Sequence, residues 1–123
     1  MSDALAHALT DLRDPSPAVR QAAANYLGAH PTGEGAQALI AALSEPHFPA
    51  QNAIIKALLA QTSPDLVPQL VVLGREQSDG VPGQSARRAL LEIAQARPEA
   101  VLTALKDPDP DVRAWAALTP GDL

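Results

Sequence analysis

Leu12-Arg13-Asp14-Pro15-Ser16-Pro17-Ala18-Val19-Arg20 returns at an offset of 93 as Leu105-Lys106-Asp107-Pro108-Asp109-Pro110-Asp111-Val112-Arg113, with six of nine positions identical. Ninety-three is three times 31, so another copy is due one third of the way along. Leu43-Ser44-Glu45-Pro46 stands there, followed by Gln51 and Ala53 where the first copy has Arg20 and Ala22. The third copy is the most altered. Its Pro82-Gly83-Gln84-Ser85-Ala86 is similar to Pro49-Ala50-Gln51-Asn52-Ala53 at an offset of 33. Self-similarity at such a period is the signature of a repeat array, and four copies fill the 123 residues.

Each copy reads as two helices. Leu5, Leu9 and Leu12, then Ala36, Leu39, Ile40 and Leu43, recur at the three- and four-residue spacing of an amphipathic helix. First helices are expected over 5–12, 36–43, 64–73 and 98–105, and second helices over 17–28, 49–61, 82–96 and 110–118. Ser16-Pro17, Ser63-Pro64 and Asp109-Pro110 each place a capping side chain before a proline at the first helical position, where its missing N–H costs nothing. Gly28 stands where a second helix would end, and Gly33-Glu34-Gly35 reads as a turn. Pro68 falls about one turn into its helix, which predicts a local kink. The expected fold class is all-α, an α-solenoid (superhelix) of about four two-helix repeats. It forms one domain over 1–123, with repeats at about 2–28, 34–61, 64–96 and 98–118.

Composition agrees with thin helical layers. Alanine is the commonest residue and leucine the next, against one each of Phe, Tyr, Trp and Met. Both are strong helix formers, and alanine lets helices approach closely. The chain has no cysteine, which excludes disulfides and thiolate metal sites and fits a reducing cytoplasm. Its start does not read as a signal peptide, having no basic segment before an apolar stretch. No apolar run approaches the ~18 residues of a membrane span. Nucleic-acid binding draws its affinity from Lys and Arg, and the net charge is −5 with only Arg87-Arg88 adjacent. A soluble cytoplasmic protein with no nucleic-acid and no membrane partner is expected.

The stretch from Leu12 to Arg20, with the residues that follow it, resembles the HEAT-like repeats first associated with phycobilin lyases. Their pattern, L-x-D-x-x-P-x-V-R-x-A-A-x-x-L-G, is met by Leu12, Asp14, Pro17, Val19, Arg20, Ala22, Ala23, Leu27 and Gly28, with slight slippage in the middle. Leu105, Asp107, Pro110, Val112, Arg113, Ala116 and Ala117 meet it again, and Leu66-Val67-Pro68-Gln69-Leu70 is similar to the first-helix pattern. The resemblance implies a structural ladder. In it Arg20 and Arg113, each six residues after Asp14 and Asp107, reach the inter-helix turn and tie it to neighbouring repeats. A planar guanidinium with five donors suits a carboxylate and turn carbonyls, and Glu45 and Gln51 keep the spacing with weaker chemistry. The resemblance also implies, as an alternative function, a bilin lyase-like subunit. Such a subunit needs paired cations for two propionates, and only Arg87 and Arg88 suggest them.

Catalytic chemistry finds few candidates. His7, His30 and His47 show no metal-ligand spacing and no His-Glu dipeptide of the kind that marks HEAT-like iron hydroxylases. No G-x-S-x-G occurs, and Ser16, Ser44, Ser63, Ser78 and Ser85 sit at caps and turns. Asp107, Asp109 and Asp111 are better read as acids favouring a helix N-terminus than as a calcium site. No catalytic residue, metal or cofactor is expected.

The expected function is a non-catalytic protein-protein interaction scaffold or adaptor. Second helices of stacked repeats line one side of the array. With Val19, Ala22, Ala23 and Leu27 facing inward, Gln21 and Asn25 face out. Asn52 and Lys56 repeat the relation in the next copy, and Arg88 and Glu92 continue the row approximately. This polar stripe is the candidate surface for a protein partner. Two other features stand out: an irregular stretch over 74–81, and Trp115 in place of Ala22. The tryptophan either seals the terminal repeat or mediates self-association through that end.

Overall fold

The computed structural model describes residues 3–61, 66–76 and 79–118. Among these residues there are eight helices and no strand: α1 (Asp3–Asp11), α2 (Pro17–Ala29), α3 (Gly33–Ala41), α4 (Phe48–Leu59), α5 (Leu66–Glu76), α6 (Val81–Ala96), α7 (Pro98–Ala104) and α8 (Pro110–Leu118). They pair as four two-helix repeats, and the fold class is all-α, of the repeat-solenoid type. The chain divides into two compact units, Met1–Ser63 and Pro64–Leu123, each holding two repeats.

In the first unit α2 packs along α4, α1 lies against α2, α3 against α4, and α1 also meets α3. Leu27, Leu39, Leu43, Ile54, Ile55 and Leu58 are fully buried, and Ala24, Ala36 and Ala50 fill the gaps between them. Gly28 does not end α2, as the sequence reading expects, because the helix runs on through Ala29. A Cβ on Gly28 would stand 3.0 Å from the Ala57 Cα and 3.1 Å from its Cβ. The glycine therefore marks where α2 and α4 touch backbone to backbone. Gln61, beyond the end of α4, is buried and closes the same joint. Its Nε2 donates to the Ala57 carbonyl at 2.9 Å and to the Leu27 carbonyl at 3.2 Å.

Gly33-Glu34-Gly35 is likewise helix rather than turn. Thr32 caps α3, its Oγ1 accepting the Gly35 N–H at 2.8 Å. The close fit that excludes a side chain at 35 follows, since a Cβ there would lie 2.9 Å from that Oγ1 and 3.3 Å from Leu27 Cδ2. Ser16 makes no side-chain cap. Asp14 orders that turn instead, accepting the Ser16 N–H at 2.9 Å. Asp109, at the equivalent position of the last repeat, does cap its helix and accepts the Asp111 N–H at 2.8 Å. A carboxylate is the stronger acceptor of the two side chains. Ser63-Pro64 lies outside the described residues.

In the second unit α5 packs along α6, α6 meets α7, and α8 rests on α7 and α5. Leu70, Ala86, Ala89, Leu90, Ile93 and Val112 form its core. Arg75 on α5 is paired with Asp111 on α8. Pro68 is the third residue of α5, in the first turn, where a backbone N–H has no partner inside the helix. The expected kink has no cause there. The irregular stretch over 74–81 is also shorter than expected, since Gly74, Arg75 and Glu76 belong to α5 and Val81 begins α6. The Arg87 Nη1 donates to the Gly74 carbonyl at 3.2 Å and so satisfies one of the last acceptors of α5.

Two glycine substitutions separate packing from propensity. Gly28→Leu forces α2 and α4 apart and is expected to lower unfolding free energy by about 1–3 kcal/mol, the cost of overpacking. Gly33, with nothing within 4 Å of an added Cβ, should gain about 0.4–1 kcal/mol on change to alanine through the unfolded chain alone. Urea melts of the two variants check both signs.

Candidate functional site

Arg20 leaves the first turn of α2 and divides its donors between two repeats. Its Nη1 donates to the backbone carbonyls of Asp14 at 2.7 Å and Pro15 at 3.1 Å, both in its own turn. Its Nε and Nη2 form a two-pronged grip on Glu45, at 2.5 Å to Oε1 and 3.1 Å to Oε2. Glu45 belongs to the next repeat, between α3 and α4, and is buried to 5% exposure. The same carboxylate accepts the His47 N–H at 2.8 Å. Asp14, in the arginine's own turn, thus supplies a carbonyl and orders the turn, while the acid of the following repeat supplies the counter-charge. Glu45 carries more of this chemistry than its sequence reading assigns to it.

The electrostatics follow from the geometry. Burial pushes the Glu45 carboxyl up, but the Arg20 hydrogen bond, the His47 N–H and the Arg20 charge outweigh burial and hold it below the usual carboxylate range. The hydrogen bond to Glu45 raises Arg20 in turn, against its partial desolvation. Gln51, at the arginine position of the second repeat, keeps the turn half only, with its Nε2 donating to the Glu45 carbonyl at 3.2 Å. Arg113 does the same in the last repeat, with Nη1 donating to the carbonyls of Asp107 at 2.7 Å and Pro108 at 2.9 Å.

This joint sets α2 and α4 side by side. Asn25 and Lys56 are exposed on them, and Gln21 and Asn52 are half-buried. Ala22, expected inside, is exposed, and Ala24 is buried in its stead. The outward line of α2 therefore runs Ala18, Ala22, Asn25, Ala29, with Asn25 its one polar member. Small side chains tolerate either environment, so alternation of alanine cannot fix the rotation of a helix. In the second unit Arg88 and Glu92 are half-buried on α6. Glu92 Oε2 has neither solvent access nor a hydrogen-bond partner. Trp115 is half-buried on α8.

A groove of about 1080 Å³ runs along the first unit where the two repeats meet. Leu9, Leu12, Ala38, Ala41 and Ala42 line it, the Arg20 and Glu45 pair borders it, and Arg13, Glu34 and Gln37 stand exposed along it. Sequence reasoning missed this groove. The signal present was confined to α3, where Glu34 and Gln37 are the two polar side chains of an otherwise small and aliphatic helix.

Among the described residues no three His, Cys, Asp or Glu side chains gather as metal ligands. His30 stacks on Tyr26 with ring centroids 4.2 Å apart, its Nδ1 3.1 Å from the Tyr26 carbonyl. Asp107 and Asp109 each accept the N–H two residues on, at 2.8 Å, and Asp111 is paired with Arg75. No helix among the described residues is long and apolar enough to cross a membrane.

A family model described as HEAT repeats matches residues 2–91. Comparison with curated proteins and with solved structures gave no significant match.

Two outcomes test the ladder. Arg20→Ala, which loses both halves of the bond, should lower the melting temperature more than Arg113→Ala, which loses only the turn half; equal shifts in calorimetry would mean that the Glu45 grip adds nothing. Glu45→Gln is expected to cost about 1.5–3 kcal/mol near neutral pH, the range for a charged hydrogen bond. Because the folded carboxyl is held below its unfolded value of ~4.3, its contribution is complete above that value and fades as pH falls through the folded one. The stability gap between the wild-type chain and Glu45→Gln should therefore narrow from pH 6 towards pH 3 in urea titrations.

Proposed function

Because the chain belongs to the HEAT-repeat family, we propose that it is a non-catalytic protein-protein interaction scaffold or adaptor. The observation that carries this reading is the first unit's joint. Backbone contact at Gly28 and Ala57, the buried Gln61 amide and the two-pronged Arg20–Glu45 bond hold two repeats in one arrangement. A surface so fixed loses little freedom on binding, and preorganisation of this kind favours affinity. The partner is another protein, received on the outward side of α2 and α4. Asn25 and Lys56 are the exposed polar contacts there, Gln21 and Asn52 support them, and Ala18, Ala22 and Ala29 allow close approach.

The bilin-handling alternative finds no support in the placement of its cations. A linear tetrapyrrole with two propionates asks for two available guanidinium or ammonium groups. Arg87 donates to the Gly74 carbonyl and Arg88 is half-buried.

The test is affinity capture from native lysate by three chains: the wild type, Asn25→Glu with Lys56→Glu, and Arg13→Glu with Gln37→Glu. A partner held by the wild type and the groove variant but lost by the α2–α4 variant is the expected result. Loss in the groove variant alone moves the site to the groove. Equal capture by all three removes the first unit from the proposal.

A further inference from the structure

The ladder between repeats has two halves, and among the described residues a single pair is matched: the carboxylates of Asp14 and Asp107 have no arginine on them, and Arg113 has no acid. Three turn acids, Asp14, Glu45 and Asp107, each accept the N–H of the residue two places on, at 2.9, 2.8 and 2.8 Å. Two arginines, Arg20 and Arg113, each place Nη1 on two carbonyls of their own turn. Only Arg20 goes on to grip an acid, Glu45 of the following repeat. Arg113 is exposed, and among the described residues its Nε and Nη2 meet no carboxylate. Asp14 is oriented by its turn as Glu45 is. Its carboxylate feels the Arg20 charge, yet among the described residues it makes no ion pair.

Burial on the apolar side agrees. Leu12 and Leu43, which precede the turn acid in the first two repeats, are 7% and 0% exposed. Leu105, their counterpart in the last repeat, is 42% exposed, and Leu102 one turn before it is 64% exposed. The α7–α8 hairpin thus presents a bare apolar edge beside an arginine set for an acid. The turn after α1 presents the acid.

We propose that the chain associates head to tail with a second copy, the Arg113 guanidinium of one copy gripping the Asp14 carboxylate of the next as Arg20 grips Glu45 within a chain. Leu102 and Leu105 are covered in that contact. The contact is heterologous, joining two different patches. It is also weaker than the internal joint, for two reasons. Aspartate is one methylene shorter than Glu45. Tyr26, which occupies the position that Ala57 holds one repeat later, prevents the close approach that α2 and α4 make at Gly28. Self-association is therefore reversible and concentration-dependent.

Self-association and partner capture are separable. A chain that captures its partner but stays monomeric fails here alone, and one that self-associates but captures nothing fails there alone. The test is analytical ultracentrifugation of the full chain from ~1 µM to ~1 mM, the span that separates tight from marginal complexes. Far-UV circular dichroism on every sample verifies the fold. The wild type should gain mass with concentration, and 0.5 M salt should reduce the gain. Arg113→Glu and Asp14→Arg, each alone, set like charges against each other and should weaken association at least tenfold. An equimolar mixture of these two chains restores an opposite pair at every joint of an alternating array and should regain the wild-type behaviour, which a folding defect would not do. Asp14→Asn keeps an acceptor for the backbone, removes the charge and should weaken association without a change in helicity. A wild type that is monomeric throughout, or a mixture no heavier than its components, overturns the proposal.

Discussion

One guanidinium decides how the first two repeats meet. Arg20 places one terminal nitrogen on the carbonyls of its own turn and the remaining edge on a carboxylate from the next repeat. Neither half would suffice. The turn bonds fix the direction of the arginine but link nothing beyond the hairpin, and the Glu45 bond alone would join two mobile side chains. Ion pairs at exposed sites contribute little for that reason. Here the carboxylate is buried and further held by the His47 N–H, so the charge has a single position to meet. The α2–α4 approach, the groove at the joint and the outward face all depend on that position.

The two units use the shared two-helix plan differently. In the first, second helix packs on second helix, and glycine and alanine at the contact allow it. In the second, α8 settles on α5 and an exposed ion pair, Arg75 with Asp111, joins those helices. The altered third repeat explains part of the change. At the period of 31 it has Glu76 in the acid's place, at the end of α5 rather than in a turn, and Pro82 in the arginine's, and Arg87 serves the carbonyl of Gly74 instead.

Periodicity made the fold legible. A nonapeptide recurring at three times 31 located the repeats, and proline in the first turn of each second helix located their starts. Glycine was less informative, because the same residue serves a helix end, a turn or a close helix contact. Gly28 and Gly35 turned out to mark contacts, which depend on Ala57 and on Thr32 and Leu27 and have no local sequence signature. The ladder was half legible. Spacing of six linked Arg20 to its turn, while its carboxylate lies in the next repeat and only burial distinguishes Glu45 from other surface acids. The polar face was blurred by alanine, whose small side chain left the rotation of α2 open between Ala22 and Ala24.

The alanine-rich joint has a thermal consequence. Heat capacity of unfolding rises with the apolar area exposed, and a protein averages about 12–15 cal/mol/K per residue. Leu27, Ile54 and Leu58 bury most of the hydrocarbon of the first unit's joint, whereas its alanine and glycine bring the two helices to backbone contact while hiding little each. Contacts of this kind add little to that figure. A smaller heat capacity flattens a stability curve, so the contribution of the Gly28–Ala57 contact varies little with temperature.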